Sequence, residues 1–155
     1  MIQKRYIEGL DFYRLTEFYK DEKNHLRCRV TPNEEERMDG DSRHYIYAHY
    51  VNDELVYIGE SSDLLKRRMN FYCCHPGITN ERARKYFNEE FKKKPSSDIC
   101  TFIHMPEKIV VSETITVNPY VAIEQTLISM LKPKLNRKDV FRNRPRKFTR
   151  KKFKK

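Results

Sequence analysis

Long apolar runs are missing from this chain. No segment approaches the roughly 20 consecutive apolar residues that a membrane-spanning helix needs. The first residues, MIQKRYIEGL, also lack the apolar core of a signal peptide. No internal repeat is present, and 155 residues suit one domain with a hydrophobic core. We therefore expect a cytoplasmic protein that has no membrane partner.

Paired cysteine motifs are also missing. The four cysteines form no CxxC pair, so neither a disulfide framework nor a zinc knuckle is indicated. Cys73, Cys74 and His75, together with His104, contain the donor atoms for a metal site, but reduced and partly buried thiols are the commoner use of such residues. We expect all four cysteines to be reduced, namely Cys28, Cys73, Cys74 and Cys100.

Positive charge is concentrated at one end of the chain. The net charge is +10, and residues 137–155 hold eleven Lys or Arg against one Asp, which leaves 21 charges of each sign in residues 1–136. We therefore predict a single domain over 1–136 and a flexible basic tail over 137–155. Such a tail suits a polyanion, although a solubilising or partner-docking tail has the same composition. The candidate polyanion-binding residues of the tail are Lys138, Arg142, Arg144, Arg146 and Lys147.

Two short aromatic segments predict a β-hairpin in the middle of the chain. Tyr45–Val51 and Leu55–Ile58 alternate apolar and polar residues and flank the turn-forming residues 52–54. Each segment presents a tyrosine, Tyr47 in the first and Tyr57 in the second. Gly59 then ends the strand, and Ser61, Ser62 or Asp63 can cap a helix in which Arg67 comes about two turns later.

The remaining pattern predicts an α+β fold. Alternation indicates an N-terminal β-hairpin over about 12–31, ahead of a core over about 44–136. Apolar spacing predicts helices over 80–94 and 119–131, and strands near 99–104 and 109–116. We therefore expect a small mixed or antiparallel sheet flanked by helices.

Glu124 interrupts the apolar face of the helix predicted over 119–131. Tyr120 and Val121 precede it by one turn, and Leu127 and Ile128 follow it by one turn. A carboxylate on such a face must be paired, protonated or metal-bound, because an uncompensated buried charge costs several kcal/mol. A structural ion pair is the commoner outcome, and a metal ligand is the alternative.

Several of these elements together resemble the GIY-YIG nuclease family. YIG stands at 57–59, and an arginine follows its glycine by eight residues, which is the family's spacing and selects Arg67 over Arg68. Glu124 stands where the family has its metal-binding glutamate, and a proline-containing turn leads to Asn136 at the position of the family's structural asparagine. The small phage and restriction members are the most similar. The resemblance implies the GIY-YIG fold and makes a metal ligand the better interpretation of Glu124.

Two residues depart from the family pattern. Tyr45 stands where the family usually has the leading glycine of its first motif, a position at which variation is tolerated. Glu60 follows YIG, where a carboxylate repels a substrate phosphate. We expect Glu60 to be exposed, with indirect support of a metal as the alternative.

The resemblance also implies roles for the site residues. Tyr47 is the general base that deprotonates water, Tyr57 orients that water, and Arg67 contacts the phosphate. Glu124 holds one Mg²⁺ or Mn²⁺ per active site on the leaving-group side. Because the reference pKa of tyrosine is near 10, a nearby cation must favour the phenolate form. The products have 5′-phosphate and 3′-hydroxyl ends.

Basic and supporting residues complete the expected site. The resemblance implies a further cation from the helix over 80–94, for which Arg82 is the first choice and Arg84 and Lys85 are the alternatives; a solvated basic helix face is an equally good interpretation of all three. Arg68 is a candidate DNA contact. Gly59 and Asn136 are structural, with Asn136 fixing the turn after Pro133. The histidines His44 and His49 flank Tyr47 and are candidates to tune it, with half-exposed side chains of no role as the safer expectation.

The function that the resemblance implies is a divalent-metal-dependent DNA endonuclease, which requires no small-molecule cofactor. The alternatives are a non-catalytic nucleic-acid-binding module of the same fold and an RNA-cleaving toxin. Phage DNA degradation, restriction and a mobile element all remain open as the biological role. Cutting both strands with one site per chain favours a homodimer or homotetramer.

Overall fold

A computed structural model describes residues 3–74 and 78–136. Eight strands and three helices are assigned within these ranges. In chain order they are β1 (Lys4–Ile7), β2 (Leu10–Lys20), β3 (Leu26–Val30), β4 (Tyr45–Val51), β5 (Glu54–Ser61), α1 (Leu65–Cys74), α2 (Ile78–Lys93), β6 (Ile99–His104), β7 (Ile109–Val110), β8 (Thr116–Val117) and α3 (Tyr120–Leu131). No helix in the described ranges has the length and apolarity that crossing a membrane requires.

Six strands form one sheet in the order β1-β2-β6-β4-β5, with β3 paired to β2. Every described pairing is antiparallel, which confirms the predicted α+β class. The predicted N-terminal hairpin is formed by β2 and β3. Preceding them, β1 is an element that the sequence pattern did not predict.

Strand β4 lies at the centre of the core. All seven of its residues are buried, because β5 and β6 pair with its two edges and helices cover its two faces. Helices α1 and α2 pack on one face through apolar residues spaced three or four apart, whereas α3 packs on the other face. The tyrosines of the central hairpin therefore meet helix α1.

Two predicted elements near the C-terminal side differ in the structure. The strand expected over 109–116 is a separate hairpin of two short strands, because the Ser112 hydroxyl accepts a hydrogen bond from the backbone N–H of Ile115 at 3.2 Å and closes a turn. Helix α3 begins at Tyr120, so Pro119 occupies the cap position. The Asn118 side chain, one residue before Pro119, accepts a hydrogen bond from the N–H of Tyr120 at 3.2 Å.

Candidate active site

The hydroxyl group of Tyr47 is the centre of a buried polar cluster. Tyr47 is 0% exposed, and its hydroxyl lies 2.9 Å from the hydroxyl of Tyr72 on α1. Arg68 donates to the same Tyr47 oxygen from Nε at 3.1 Å and from Nη2 at 2.8 Å. Two N–H groups of one permanently charged guanidinium are therefore aimed at a single buried phenol oxygen.

Arg68, and not Arg67, is the arginine that the structure brings to Tyr47. Helix α1 buries Leu65, Met69 and Tyr72, and Arg68 shares this face because residues three or four apart lie on one side of a helix. The Arg67 side chain is 64% exposed, with Nε 3.5 Å from Asp63. The eight-residue spacing does not predict this contact, because a residue count ignores the rotational phase of the helix, and Arg67 as the phosphate contact stays a prediction. The apolar periodicity of α1 was the signal that could have placed Arg68.

Tyr57 and Gly59 lie beside Tyr47. The Tyr57 ring centroid is 6.0 Å from that of Tyr47, and burial raises the pKa of Tyr57 well above its ordinary value. A Cβ atom on Gly59 would stand 2.5 Å from the Tyr47 hydroxyl oxygen and 2.8 Å from the Tyr57 ring. Glycine is therefore required at 59 because the backbone must leave room for both phenol rings.

Glu124 and Glu60 bring two carboxylates to the edge of this cluster. Glu124 is half-buried on α3, and its pKa is raised to about 7 by burial and then by the negative charge of Glu60. The charge of Glu124 in turn adds to the effect of burial on the pKa of Tyr57. Glu60 is half-buried as well, so the expectation of an exposed Glu60 was wrong: position 60 is still within β5, which α3 covers.

Glu124 and Glu60 are the candidate ligands for a divalent cation. Within the described residues no cationic side chain pairs with Glu124, so the structural ion pair is not formed there. Two half-buried carboxylates that repel each other suit Mg²⁺, which is typically held by one or two carboxylates together with water and substrate phosphate. In the described part of the chain, no group of three or more His, Cys, Asp or Glu is placed to hold a metal.

Asn136 fixes the exposed edge of strand β5. Its side-chain amide donates to the carbonyl of Ile58 at 2.7 Å and accepts from the N–H of Ile58 at 2.9 Å. The backbone N–H of Leu135 donates to the carbonyl of Val56, and that of Asn136 to Pro133, which is the turn that the sequence predicted. Residues 135 and 136 thereby hold the strand between Tyr57 and Gly59 in place.

The two histidines differ from each other and from their expected position. His44 is exposed and faces Tyr120 on α3, with ring centroids 5.4 Å apart. His49 is fully buried, contrary to the expected half-exposed side chain, because α1 and α2 cover its face of β4. Its Nδ1 lies 2.8 Å from the Thr101 hydroxyl, and its ring stacks against Tyr57. Burial, with the charge of Arg68 as the next cause, lowers the pKa of His49 to about 3.

The basic residues of α2 fall into two places. Arg82 donates to the carbonyl of Leu135 at 3.2 Å and therefore lies next to the segment that leads to Asn136. Arg84 and Lys85 instead line a groove of about 420 Å³ between α2 and the β2–β3 hairpin, together with Lys20 and Lys92. The tail candidates Lys138, Arg142, Arg144, Arg146 and Lys147 lie outside the described residues.

The cysteines are free thiols in the structure. Burial raises the pKa of Cys28, Cys73 and Cys100 to about 12, and Cys74 is exposed. Thiols with such pKa values are poorly reactive at neutral pH. His75 lies outside the described residues.

Comparison with known proteins identifies the class to which this site belongs. Residues 43–136 match the model of the GIY-YIG catalytic domain. The match covers more than half of the chain, and the chain belongs to the GIY-YIG nuclease family. No curated protein sequence matches it.

Two solved structures are similar to this chain. A variant of bacteriophage T4 EndoII superposes with a TM-score of 0.63 at 21% sequence identity, covering 81% of this chain and 92% of EndoII. The restriction endonuclease HPY188I in complex with product DNA gives a TM-score of 0.44 at 13% identity, covering 78% of this chain and 76% of that one. The EndoII likeness agrees with the fold described above.

Proposed function

We propose that this protein is a divalent-metal-dependent DNA endonuclease with its active site between β4, β5, α1 and α3. The observation that carries the proposal is the buried Tyr47 hydroxyl held by two N–H groups of Arg68. The negative charge of Glu124 on α3 acts on the neighbouring Tyr57. Family membership supplies the nuclease class. The basic tail, which holds a charge equal to the entire net charge of +10, supports a nucleic-acid substrate.

Tyr47 acts as the general base in the proposed reaction. Its phenolate oxygen takes a proton from water, the resulting hydroxide attacks phosphorus, and the bond from phosphorus to the 3′ oxygen breaks. The products have 5′-phosphate and 3′-hydroxyl ends, with the 3′ oxygen protonated from solvent. Arg68 stabilises the phenolate before the transfer and, from the same position, is close to the attacking water and the phosphate.

Tyr57 and Arg82 have assisting roles. Tyr57, whose pKa is raised by burial, stays protonated and orients the attacking water by its hydroxyl. Arg82, anchored at Leu135, is the proposed phosphate contact from α2. Arg67 is exposed at the outer side of α1 and is proposed to contact DNA outside the reacting phosphate.

Glu124 is the proposed ligand of one Mg²⁺ or Mn²⁺ ion per site, with Glu60 beside it. When bound, the ion supplies charge neutralisation for the phosphate and the leaving 3′ oxygen. Glu124 must be ionised to bind it, and its raised pKa of about 7 makes metal binding dependent on pH near neutrality.

The direct test is incubation of supercoiled plasmid with the protein and Mg²⁺. We expect nicked or linear DNA, no product in EDTA, and no product from Glu124→Ala. Absence of cleavage would contradict the enzymatic proposal and favour a binding module of the same fold. Cleavage of RNA in preference to DNA in a matched assay would replace DNA by RNA as the substrate.

Sequencing the cleaved ends tests the biological role. A staggered double-strand cut at a short consensus supports restriction, a long site supports a mobile element, and cuts without a consensus support degradation of foreign or host DNA. We propose cytoplasmic DNA as the substrate in each case.

A further inference from the structure

Exposed apolar side chains are concentrated in one stretch of the chain. Nine large apolar residues of the described chain are strongly exposed, and seven of them fall between 109 and 130. They are Ile109, Val110, Val111, Ile115, Val117, Val121 and Met130. Their combined exposed surface, divided between the β7–β8 hairpin and α3, is on the order of 500 Å².

The same stretch is almost free of charge. Between residues 109 and 131 only Glu113 and Glu124 are charged, in a chain of which 35% is charged, and Glu124 belongs to the active site. The outward face of α3 consists of exposed and uncharged residues. They are Val121, Ala122, Gln125, Thr126, Ser129 and Met130. A solvated helix face in such a charged protein normally contains lysine, arginine or glutamate, so this composition is typical of a covered surface.

The β7–β8 hairpin has no partner in the described chain that would stabilise it. It forms a two-stranded sheet of its own, and no other described helix or strand packs extensively against it. An isolated two-stranded hairpin is at best marginally stable in water, and both of its outer edges expose unpaired backbone groups. Val110, the last residue of β7, is 72% exposed.

An apolar groove that suits the apolar side chains of the hairpin lies on the same chain. It has a volume of about 280 Å³ and is formed by α3 and the turn between β1 and β2. Leu10, Ala122, Ile123, Leu127 and Met130 line it, and Glu8 is the only charged lining residue among those described. Its size suits one or two aliphatic side chains such as those of the hairpin.

We propose that the β7–β8 hairpin and the outward face of α3 form the interface between two copies of this chain. In a two-fold arrangement the hairpin of each copy covers the α3 groove of the other, so both apolar features are buried by one interface. Two patches of on the order of 500 Å² reach the roughly 1,000 Å² that a specific interface needs. DNA does not suit this surface, because the described residues of the interface offer no cation to phosphate.

The test is sedimentation velocity on the full chain, without metal or DNA, over a concentration series up to about 100 μM, where a micromolar dimer is largely associated. We expect a species of twice the 18.9 kDa of one chain. Val110→Asp and Met130→Lys should each weaken the association at least tenfold, because a buried unpaired charge opposes it. Tyr6→Asp is the matched control: Tyr6 is 74% exposed but outside the proposed interface, and the variant should associate normally.

A crosslinking experiment keeps the proposal testable if a charged variant misfolds. Val110→Cys and Thr126→Cys are placed on separate chains in a Cys74→Ser background, and the mixture is oxidised. We expect mixed disulfide dimers in larger yield than from either chain alone.

A single-chain mass throughout the series, or a dimer that both charged variants leave unchanged, would overturn the interface. Binding of a monomer to phosphatidylcholine vesicles would assign the surface to a membrane and overturn it as well. If such a monomer still cleaves DNA, only the interface is overturned and the proposed nuclease activity stands.

Discussion

At the scale of single residues, Arg68 lies against two phenols of the buried tyrosine cluster. Both Tyr47 and Tyr72 are buried, and burial, followed by the neighbouring phenols of Tyr47 and Tyr57, raises the pKa of Tyr72 well above its usual value. The Tyr47 oxygen accepts two N–H bonds from the Arg68 guanidinium group, at 3.1 and 2.8 Å, whereas the Tyr72 oxygen accepts one, at 3.3 Å. Arg68 therefore makes its shorter contacts with Tyr47, the phenol that we propose as the base.

Glu124 should make the stability of the metal-free protein depend on pH. Its folded pKa of about 7 lies above the ordinary value of 4.5, so the folded state holds the proton to higher pH than the unfolded state, and stability falls as pH rises through this window. Glu124→Gln should therefore be more stable than the parent chain at pH 8, by on the order of 1 kcal/mol after allowance for solvent screening. Urea unfolding at pH 4 and pH 8 measures this.

The control is the same comparison at pH 4, where both forms are neutral and the difference should vanish. Addition of Mg²⁺ at pH 8 should stabilise the parent chain and not Glu124→Gln. A difference that stays constant between pH 4 and 8 would show that Glu124 is not the titrating group.

Gly59→Ala should lower both stability and activity. The added methyl group overlaps the Tyr47 hydroxyl and the Tyr57 ring, and overpacking of this kind costs about 1–3 kcal/mol. Gly40→Ala is the control, because its added carbon comes no closer than 3.2 Å to a described atom, Cβ of Lys66, and should cost less. Equal free energies of unfolding for the two variants would contradict the packing described at Gly59.

At the scale of secondary-structure elements, the β5 edge depends on the segment after α3. Asn136→Ala removes two hydrogen bonds to Ile58 and should lower the free energy of unfolding by about 1–3 kcal/mol. Hydrogen exchange should show faster exchange at the N–H of Ile58, which loses its acceptor. Unchanged exchange there would mean that Asn136 does not hold the edge.

The sequence predicted elements with a strong local signal better than it predicted contacts between them. The β4–β5 hairpin and strand β6 were predictable because aromatic alternation and turn residues are local features. The choice between Arg67 and Arg68 was not, because it depends on the phase of α1 against the sheet. Likewise β1 was missed, since four residues with one buried side chain carry little periodic signal.

For the candidate site as well, residues with a local sequence signal were easier to predict than contacts between elements. Tyr47, Tyr57 and Gly59 lie against one another, and Asn136 holds the strand between the last two. Their roles, and that of Glu124, stay predictions. Tyr72 and the buried side chain of His49 were not predicted as parts of the cluster. In a sequence, a functional tyrosine on an amphipathic helix or a functional histidine on a strand looks the same as a core residue of that type.

At the scale of the whole molecule, the net positive charge and the proposed catalytic residues lie in different parts of the chain. Residues 1–136 hold equal numbers of positive and negative charges, and residues 137–155 carry +10. The described part of the chain ends at Asn136, whose side chain is hydrogen-bonded to strand β5. We propose that the tail increases the affinity for DNA and leaves the chemistry to the single domain before it.

Deletion of residues 137–155 should therefore lower the affinity for DNA and make that affinity less dependent on salt. The rate of cleavage at saturating DNA should change less. Each lost phosphate contact should reduce the slope of log affinity against log salt by about 0.9. A chain with the tail cations replaced by glutamine separates charge from length. Unchanged salt dependence in both chains would contradict the proposed role of the tail.

The most direct test of the catalytic arrangement is the single-turnover rate of plasmid nicking in Mg²⁺ for Arg68→Ala and Arg67→Ala side by side. These neighbours have the same charge, and only Arg68 contacts Tyr47. We predict that Arg68→Ala lowers the rate about 10²–10³-fold, as loss of a preorganised charge-stabilising donor does, and that Arg67→Ala stays within about tenfold of the parent chain. The reverse order of the two effects would contradict Tyr47 and Arg68 as the catalytic pair.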